Sequence, residues 1–159
     1  MANLRSFLKT NKKEKSTTTY PATKSLCDEN GEPLPWTIKP LSTKENDRLR
    51  DSCTVEVPVA GKMGMYRQKI DTSKYLAKMI CACIVEPNLY DKELQDSYGV
   101  MTPEDLLAEM VDDPGEYNNL AAFIQEYNGF TETIEERSNK QKTNRRWRSR
   151  KQLRLLLPA

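Results

Sequence analysis

The stretch that most constrains this chain is residues 73–86. Tyr75, Leu76, Met79, Ile80, Cys83, Ile84 and Val85 recur there at spacings of three and four, which places them on one broad face of a helix. Asp71, Thr72 and Ser73 precede it as candidate N-caps. Pro87 ends it, because proline has no amide hydrogen to donate. Within it, residues 79–85 form the longest apolar run of the sequence, far short of the roughly 20 residues that cross a bilayer. The segment therefore reads as the central helix of a core, and no membrane partner is expected.

Shorter elements gather around it. Residues 36–41 alternate as a short strand closed by Pro40. Ser42, Thr43, Lys44 and Glu45 spell a capping box that opens a short helix. Residues 54–59 alternate again and are expected to pair with 36–41. Residues 61–68 form a loop punctuated by Gly61 and Gly64, with Met63 and Met65 exposed. A short helix within 88–98 is stopped by Gly99 in the left-handed conformation. Thr102 followed by Pro103, and Asp113 followed by Pro114, each start a further helix, since proline suits the first helical position and acids suit its positive end. Gly129 ends the last one. The expected fold is mainly α, a compact bundle of short helices with a small two-stranded β element. Three segments are expected: residues 1–33, a short amphipathic helix (Leu4, Phe7, Leu8) and a flexible linker; residues 34–130, the helical core; and residues 131–159, a basic C-terminal extension.

Charge divides the 159 residues unevenly. The net charge is +2, yet residues 1–136 hold 16 Lys/Arg against 23 Asp/Glu, whereas residues 137–159 hold nine Lys/Arg and no acid. In that extension Arg145, Arg146, Trp147, Arg148 and Arg150 interleave cations with an aromatic. Three readings stand: a nucleic-acid arm that contacts phosphate and stacks a base, a segment with no dedicated ligand, or a contact with an acidic protein surface, this protein's own body included. No nucleic-acid partner is expected in the leading reading; a nucleic-acid-binding protein acting through this extension is its alternative.

Catalytic motifs are missing from the sequence. With no histidine, Ser-His-Asp and Cys-His arrangements are impossible as such. Phosphate loops, dinucleotide fingerprints and zinc-protease motifs do not occur; Gly61 and Gly64 lack the other residues of a phosphate cradle. Cys27, Cys53, Cys81 and Cys83 lack the paired spacing and histidines of a zinc site. No secretory signal is expected, so reduced thiols are expected as well, with Cys81 and Cys83 packed as small hydrophobes. No cofactor, no metal and no enzymatic activity are expected, and the host cytoplasm is the expected location.

The strings LPWTIKPLSTKENDRLRDSCT (34–54), PVAGKMGMY (58–66), KYLAKMICACIVEPNLYDKELQDSYGV (74–100) and MTPEDLLAEMVDDPGEYNNLAAFIQEYNGF (101–130) resemble, in order, the XkdN-like family of phage tail assembly chaperones. A glycine-bearing loop precedes a Tyr-Leu-Ala-Lys helix, and the segment from Pro87 to Val100, the Pro-Gly-Glu-Tyr of 114–117 and the Asn-Gly-Phe of 128–130 follow. The resemblance implies a chaperone that covers the long apolar helices of the tape measure protein, keeps that protein soluble, and helps recruit tail tube subunits, acting in several copies. After Phe130 the sequence leaves the family's pattern, and nothing carries over to residues 137–159. A shifted reading frame, an unusual natural tail and a divergent extension all fit that switch.

Given that function, the candidate contact residues are apolar or adaptable ones: Leu4, Phe7 and Leu8, and Met63, Met65 and Tyr66. Methionine repacks against varied partners. The plainer reading docks Leu4, Phe7 and Leu8 on the chain's own core and makes 61–68 a simple crossing loop.

Overall fold

A computed structural model describes residues 3–130. Two 3-10 turns, Leu4–Phe7 and Lys9–Asn11, begin the described chain. There follow β1 (Thr18–Tyr20), β2 (Trp36–Ile38), α1 (Thr43–Ser52), β3 (Thr54–Pro58), β4 (Tyr66–Ile70), α2 (Thr72–Cys83), β5 (Ile84–Glu86), α3 (Lys92–Tyr98), α4 (Pro103–Met110) and α5 (Pro114–Tyr127).

Local chemistry sets the helix ends. At α1 the Ser42 side chain accepts from the Glu45 amide at 3.2 Å, and the Glu45 carboxylate accepts from the Ser42 amide at 2.9 Å, a complete capping box. Asp71, Asp91, Thr102 and Asp113 cap α2, α3, α4 and α5 through their side chains. Gly99 closes α3 at φ 68°, a left-handed conformation that a Cβ disfavours.

Helix α2 is the centre of the core, as its apolar stripe requires. Met79, Ile80, Cys81 and Cys83 are buried with Leu106, Leu107 and Met110 of α4 and Leu120 and Ile124 of α5. Trp36 and Ile38 of β2 complete this cluster from the sheet side. Strand order in that sheet is β1-β2-β5, antiparallel throughout, with Tyr20 opposite Trp36 and Ile38 opposite Ile84. A second sheet consists of β3 and β4 alone.

This arrangement corrects the expected mainly-α bundle with one two-stranded β element. Among the described residues the fold is α+β, with five α-helices and two separate sheets. The helix expected over 73–86 stops at Cys83, and residues 84–86 leave it as β5. Ile84 and Val85 are β-branched, and Pro87 biases the residue before it toward extended backbone. The flexible linker expected within residues 1–33 contains β1, and Ala22 and Thr23 behind it are buried. Polar, threonine-rich sequence hid this strand, which β2 orders by pairing. The expected pairing of 54–59 with 36–41 does not form: β3 pairs with β4, and β2 lies between β1 and β5.

The segment 16–24 straps onto α5. Tyr20 stacks on Phe123 with ring centroids 4.3 Å apart, Tyr127 donates to the Ser16 carbonyl, and the Lys24 amide donates to Glu116 at 3.1 Å. Asn128 ties the end of α5 to the exit of β2: its side chain accepts from the Leu41 amide at 2.7 Å and donates to the Ile124 carbonyl at 2.8 Å.

Candidate partner-binding surfaces

The β3–β4 hairpin extends from the core as an arm. Its register pairs Thr54 with Ile70, Val55 with Lys69, Glu56 with Gln68, Val57 with Arg67 and Pro58 with Tyr66. At the base, the Asp71 amide donates to the Cys53 carbonyl at 2.9 Å. At the tip, the Val59 amide donates to Met65 at 2.9 Å, and Gly61 and Gly64 turn the chain at φ 77° and 78°. Every residue from Gly61 to Lys69 is exposed. No further strand pairs with either edge among the described residues.

Side chains directly opposite in an antiparallel pair share a face. Thr54, Gln68 and Ile70 look toward α1 and line a cleft with Asp47, Arg50 and Asp51. Val55, Val57, Arg67 and Lys69 therefore occupy the opposite, outward face.

The structure brings Met63, Met65 and Tyr66 together at this tip, where they line a shallow depression with Pro58 and Val59. Met63 is fully exposed, Met65 is 52% and Tyr66 is 65% exposed. Leu4, Phe7 and Leu8 sit on the N-terminal turns, 79%, 75% and 53% exposed, so they do not dock on the chain's own core. Both groups are solvent-facing apolar surface. Arg145, Arg146, Trp147, Arg148 and Arg150 lie outside the described residues.

Sequence reasoning missed the outward face of the arm and two exposed apolar residues, Tyr90 and Met101, beside α3 and α4. A signal for the arm existed: two extended runs flanking a Gly-x-x-Gly turn form a hairpin pattern.

The buried cysteines are poor candidates for chemistry. Burial pushes the Cys81 thiol up to about 12 and the Cys83 thiol up to about 11, so both stay protonated at neutral pH and lack the thiolate that nucleophilic attack requires. Among the described residues, no group of three or more Cys, Asp and Glu is placed to hold a metal ion. Nor is any described helix long and apolar enough to cross a membrane.

The family model described as phage XkdN-like tail assembly chaperone protein matches residues 4–142. The match takes in the N-terminal turns and continues past Phe130, where the sequence appeared to leave the pattern. The phage-like element PBSX protein XkdN of Bacillus subtilis (strain 168) is 25% identical over 116 residues, covering 73% of this chain and 77% of that one. The uncharacterized protein YqbN of the same organism is 27% identical over 116 residues, covering 73% and 76%. The crystal structure of the protein YqbN superposes with a TM-score of 0.68 at 22% identity, covering 82% of this chain and 98% of that one, and so shares its fold.

Proposed function

Because this chain belongs to the phage XkdN-like tail assembly chaperone family, we propose that it binds the tape measure protein of its phage or prophage, keeps that protein soluble, and helps recruit tail tube subunits around it. The observation that carries this reading is the arm tip, where Met63, Met65 and Tyr66 stand together in solvent. Contiguous exposed apolar surface on a small protein marks a contact site. An elongated client with apolar helical stripes needs a cover that fits many local shapes, and methionine provides it because its unbranched thioether repacks at low cost. Leu4, Phe7 and Leu8 supply a second apolar contact on the N-terminal turns. The role is binding rather than catalysis, exercised in the cytoplasm of the bacterial host.

Co-expression with the cognate tape measure protein tests this. The tape measure protein is expected to be soluble with this chain and largely insoluble without it, and the two co-purify. Replacing Met63, Met65 and Tyr66 together by serine removes most of that soluble fraction while leaving the thermal melt of the chaperone in place. A tape measure protein equally soluble alone and in company defeats the reading.

A further inference from the structure

Asparagine is a thermolabile residue, most of all before glycine, and the Asn-Gly pair occurs twice in this chain, as Asn30-Gly31 and Asn128-Gly129. Its characteristic reaction brings the amide nitrogen of the following residue onto the asparagine side-chain carbon. Glycine permits this, because it has no Cβ to crowd the approach and its backbone turns freely. The two sites share this chemistry and differ in surroundings. Asn128 is half-buried. Its side chain accepts from the Leu41 amide at 2.7 Å and donates to the Ile124 carbonyl at 2.8 Å, and its nitrogen lies 3.5 Å from the Cys83 sulfur. The amide that would attack it, that of Gly129, donates to the Glu126 carbonyl at 3.0 Å. Cyclisation at Asn128 would have to break all of these bonds together.

Asn30 stands in a turn between the strap and β2, where residues 27–32 are all exposed. Among the described residues, nothing hydrogen-bonds its side-chain amide. Gly31 follows at φ 81°, with no atom within 4 Å of the place a Cβ would take, so its backbone faces open solvent. Asp28 holds this turn closed. Its carboxylate accepts from the Asn30 amide at 2.9 Å and the Glu32 amide at 3.0 Å. Its carbonyl accepts from the Gly31 amide at 3.1 Å. The attacking nitrogen is therefore restrained by a single bond at the surface, where water replaces a lost partner at little net cost.

We propose that Asn30 is a self-modification site of the folded protein, gated by the Asp28 turn, and that Asn128 is protected from the same reaction. When the turn opens, hydroxide removes the Gly31 amide proton and the nitrogen attacks Cγ of Asn30. The Cγ–Nδ2 bond breaks, and the departing nitrogen takes a proton from water and leaves as ammonia. The resulting succinimide ring is opened by water. Cleavage between Cγ and the ring nitrogen gives aspartate. Cleavage between the main-chain carbonyl carbon and that nitrogen gives isoaspartate, whose backbone runs through Cβ and Cγ. The net change consumes one water and releases one ammonia, with no oxidant or reductant. The product adds a carboxylate beside Asp28, Glu29 and Glu32, and isoaspartate also lengthens the main chain of the turn. The Leu34 amide donates to the Leu26 carbonyl at 2.9 Å at the foot of this turn, just before Trp36 of β2, so the longer product loosens the entry to the sheet. The inference is independent of client binding.

Incubation of the folded full chain at mildly alkaline pH tests this, with peptide mass spectrometry and isoaspartyl methyltransferase labelling of samples taken over days. The mass shift of amide-to-acid conversion, and the isoaspartate label, are expected in the peptide that holds residue 30. The peptide that holds residue 128 stays unchanged. In urea strong enough to unfold the chain, both peptides convert at similar rates, which assigns the difference to the fold rather than to the sequence. Asp28→Ala speeds conversion at residue 30 severalfold, because the two bonds to its carboxylate are gone; an unchanged thermal melt establishes that this variant is folded. Asn30→Gln silences the site, since its longer side chain requires a larger ring. A folded chain whose residue 30 keeps its amide while the urea sample converts overturns the proposal. So does conversion at residue 128 as fast as at residue 30 in the folded chain. An unchanged rate in folded Asp28→Ala overturns the gate.

Discussion

The two sheets of this molecule, one of three-residue strands and one of five-residue strands, are held by opposite means. In β1-β2-β5, Trp36 and Ile38 project into a core closed by α2, α4 and α5, and burial holds three short strands in register. In β3–β4, five residue pairs run the length of the ribbon, yet exposed side chains dominate both strands. The first sheet is ordered by what covers it. The second is ordered by its tight turn, its cross-strand pairs and its base at Cys53 and Asp71. Chains seldom keep an uncovered ribbon with free edges unless something uses it, because such edges invite pairing with other chains. On the proposed reading, the contrast puts client contact on the arm and stability in the helical core.

The sharpest way to break this contrast is to remove the same kind of atoms from each side. Leu107 is fully buried, so Leu107→Ala leaves a cavity and costs about 2–5 kcal/mol. Val55 on the arm is 43% exposed, and Val55→Ala is expected to cost no more than about 0.5 kcal/mol. Urea denaturation of the two variants measures both. Similar losses would show that the arm is part of the cooperative core.

Asn128 sharpens the same division, because it joins two core elements through a side chain. It accepts from the Leu41 amide and donates to the Ile124 carbonyl. Asn128→Ala leaves that half-buried amide without its partner and is expected to cost about 1–3 kcal/mol. Hydrogen exchange is expected to show the loss at Leu41 and the end of α5, with the arm amides unchanged.

Which of these regions was legible in the sequence follows from the range of the interactions that make them. The ends of α1, α3, α4 and α5 were legible because a cap is a bond between residues two or three apart, as Ser42 with Glu45 or Thr102 with Asp105. The core face of α2 was legible because burial repeats at helical spacing. Alternation made β2 and β3 legible as well, at 36–41 and 54–59, but not the strands they pair with. Residues 18–20 become β1 only because residues 36–38 lie beside them, and nothing local distinguishes them from the polar stretch around them. Residues 66–70, Tyr-Arg-Gln-Lys-Ile, carry no apolar alternation, since neither face of the arm is buried. The exposed methionines of its tip were readable from composition. The outward face of Val55, Val57, Arg67 and Lys69 required the register.

The smallest expected effect lies at the junction between the two regions. Helix α1 lines the cleft at the base of the arm, and its start depends on Glu45. The hydrogen bonds from the Ser42 amide and hydroxyl hold the Glu45 carboxyl below its ordinary value of 4.5, with Lys39 adding a weaker pull at 3.5 Å. A carboxyl whose folded value lies below its unfolded one binds its proton more tightly when unfolded. Its contribution to stability is therefore complete above about pH 4.5 and disappears as pH falls through the depressed folded value. Glu45→Gln removes the titration, so the stability difference between wild type and this variant narrows on acidification through that window. Thermal melts at a series of pH values measure it. The pH-dependent step is expected to be small because Glu45 is largely exposed to screening solvent. Ser42→Ala, which removes the other half of the cap, costs about 1 kcal/mol and weakens the same pH dependence without abolishing it, because the residue 42 amide still donates to Glu45. If the cap serves the base of the arm, both variants speed exchange at Thr54 and Ile70 before they affect Trp36 or Leu107. Equal acceleration at all four would mean that α1 belongs with the core, and that the division between arm and core falls at β3 itself.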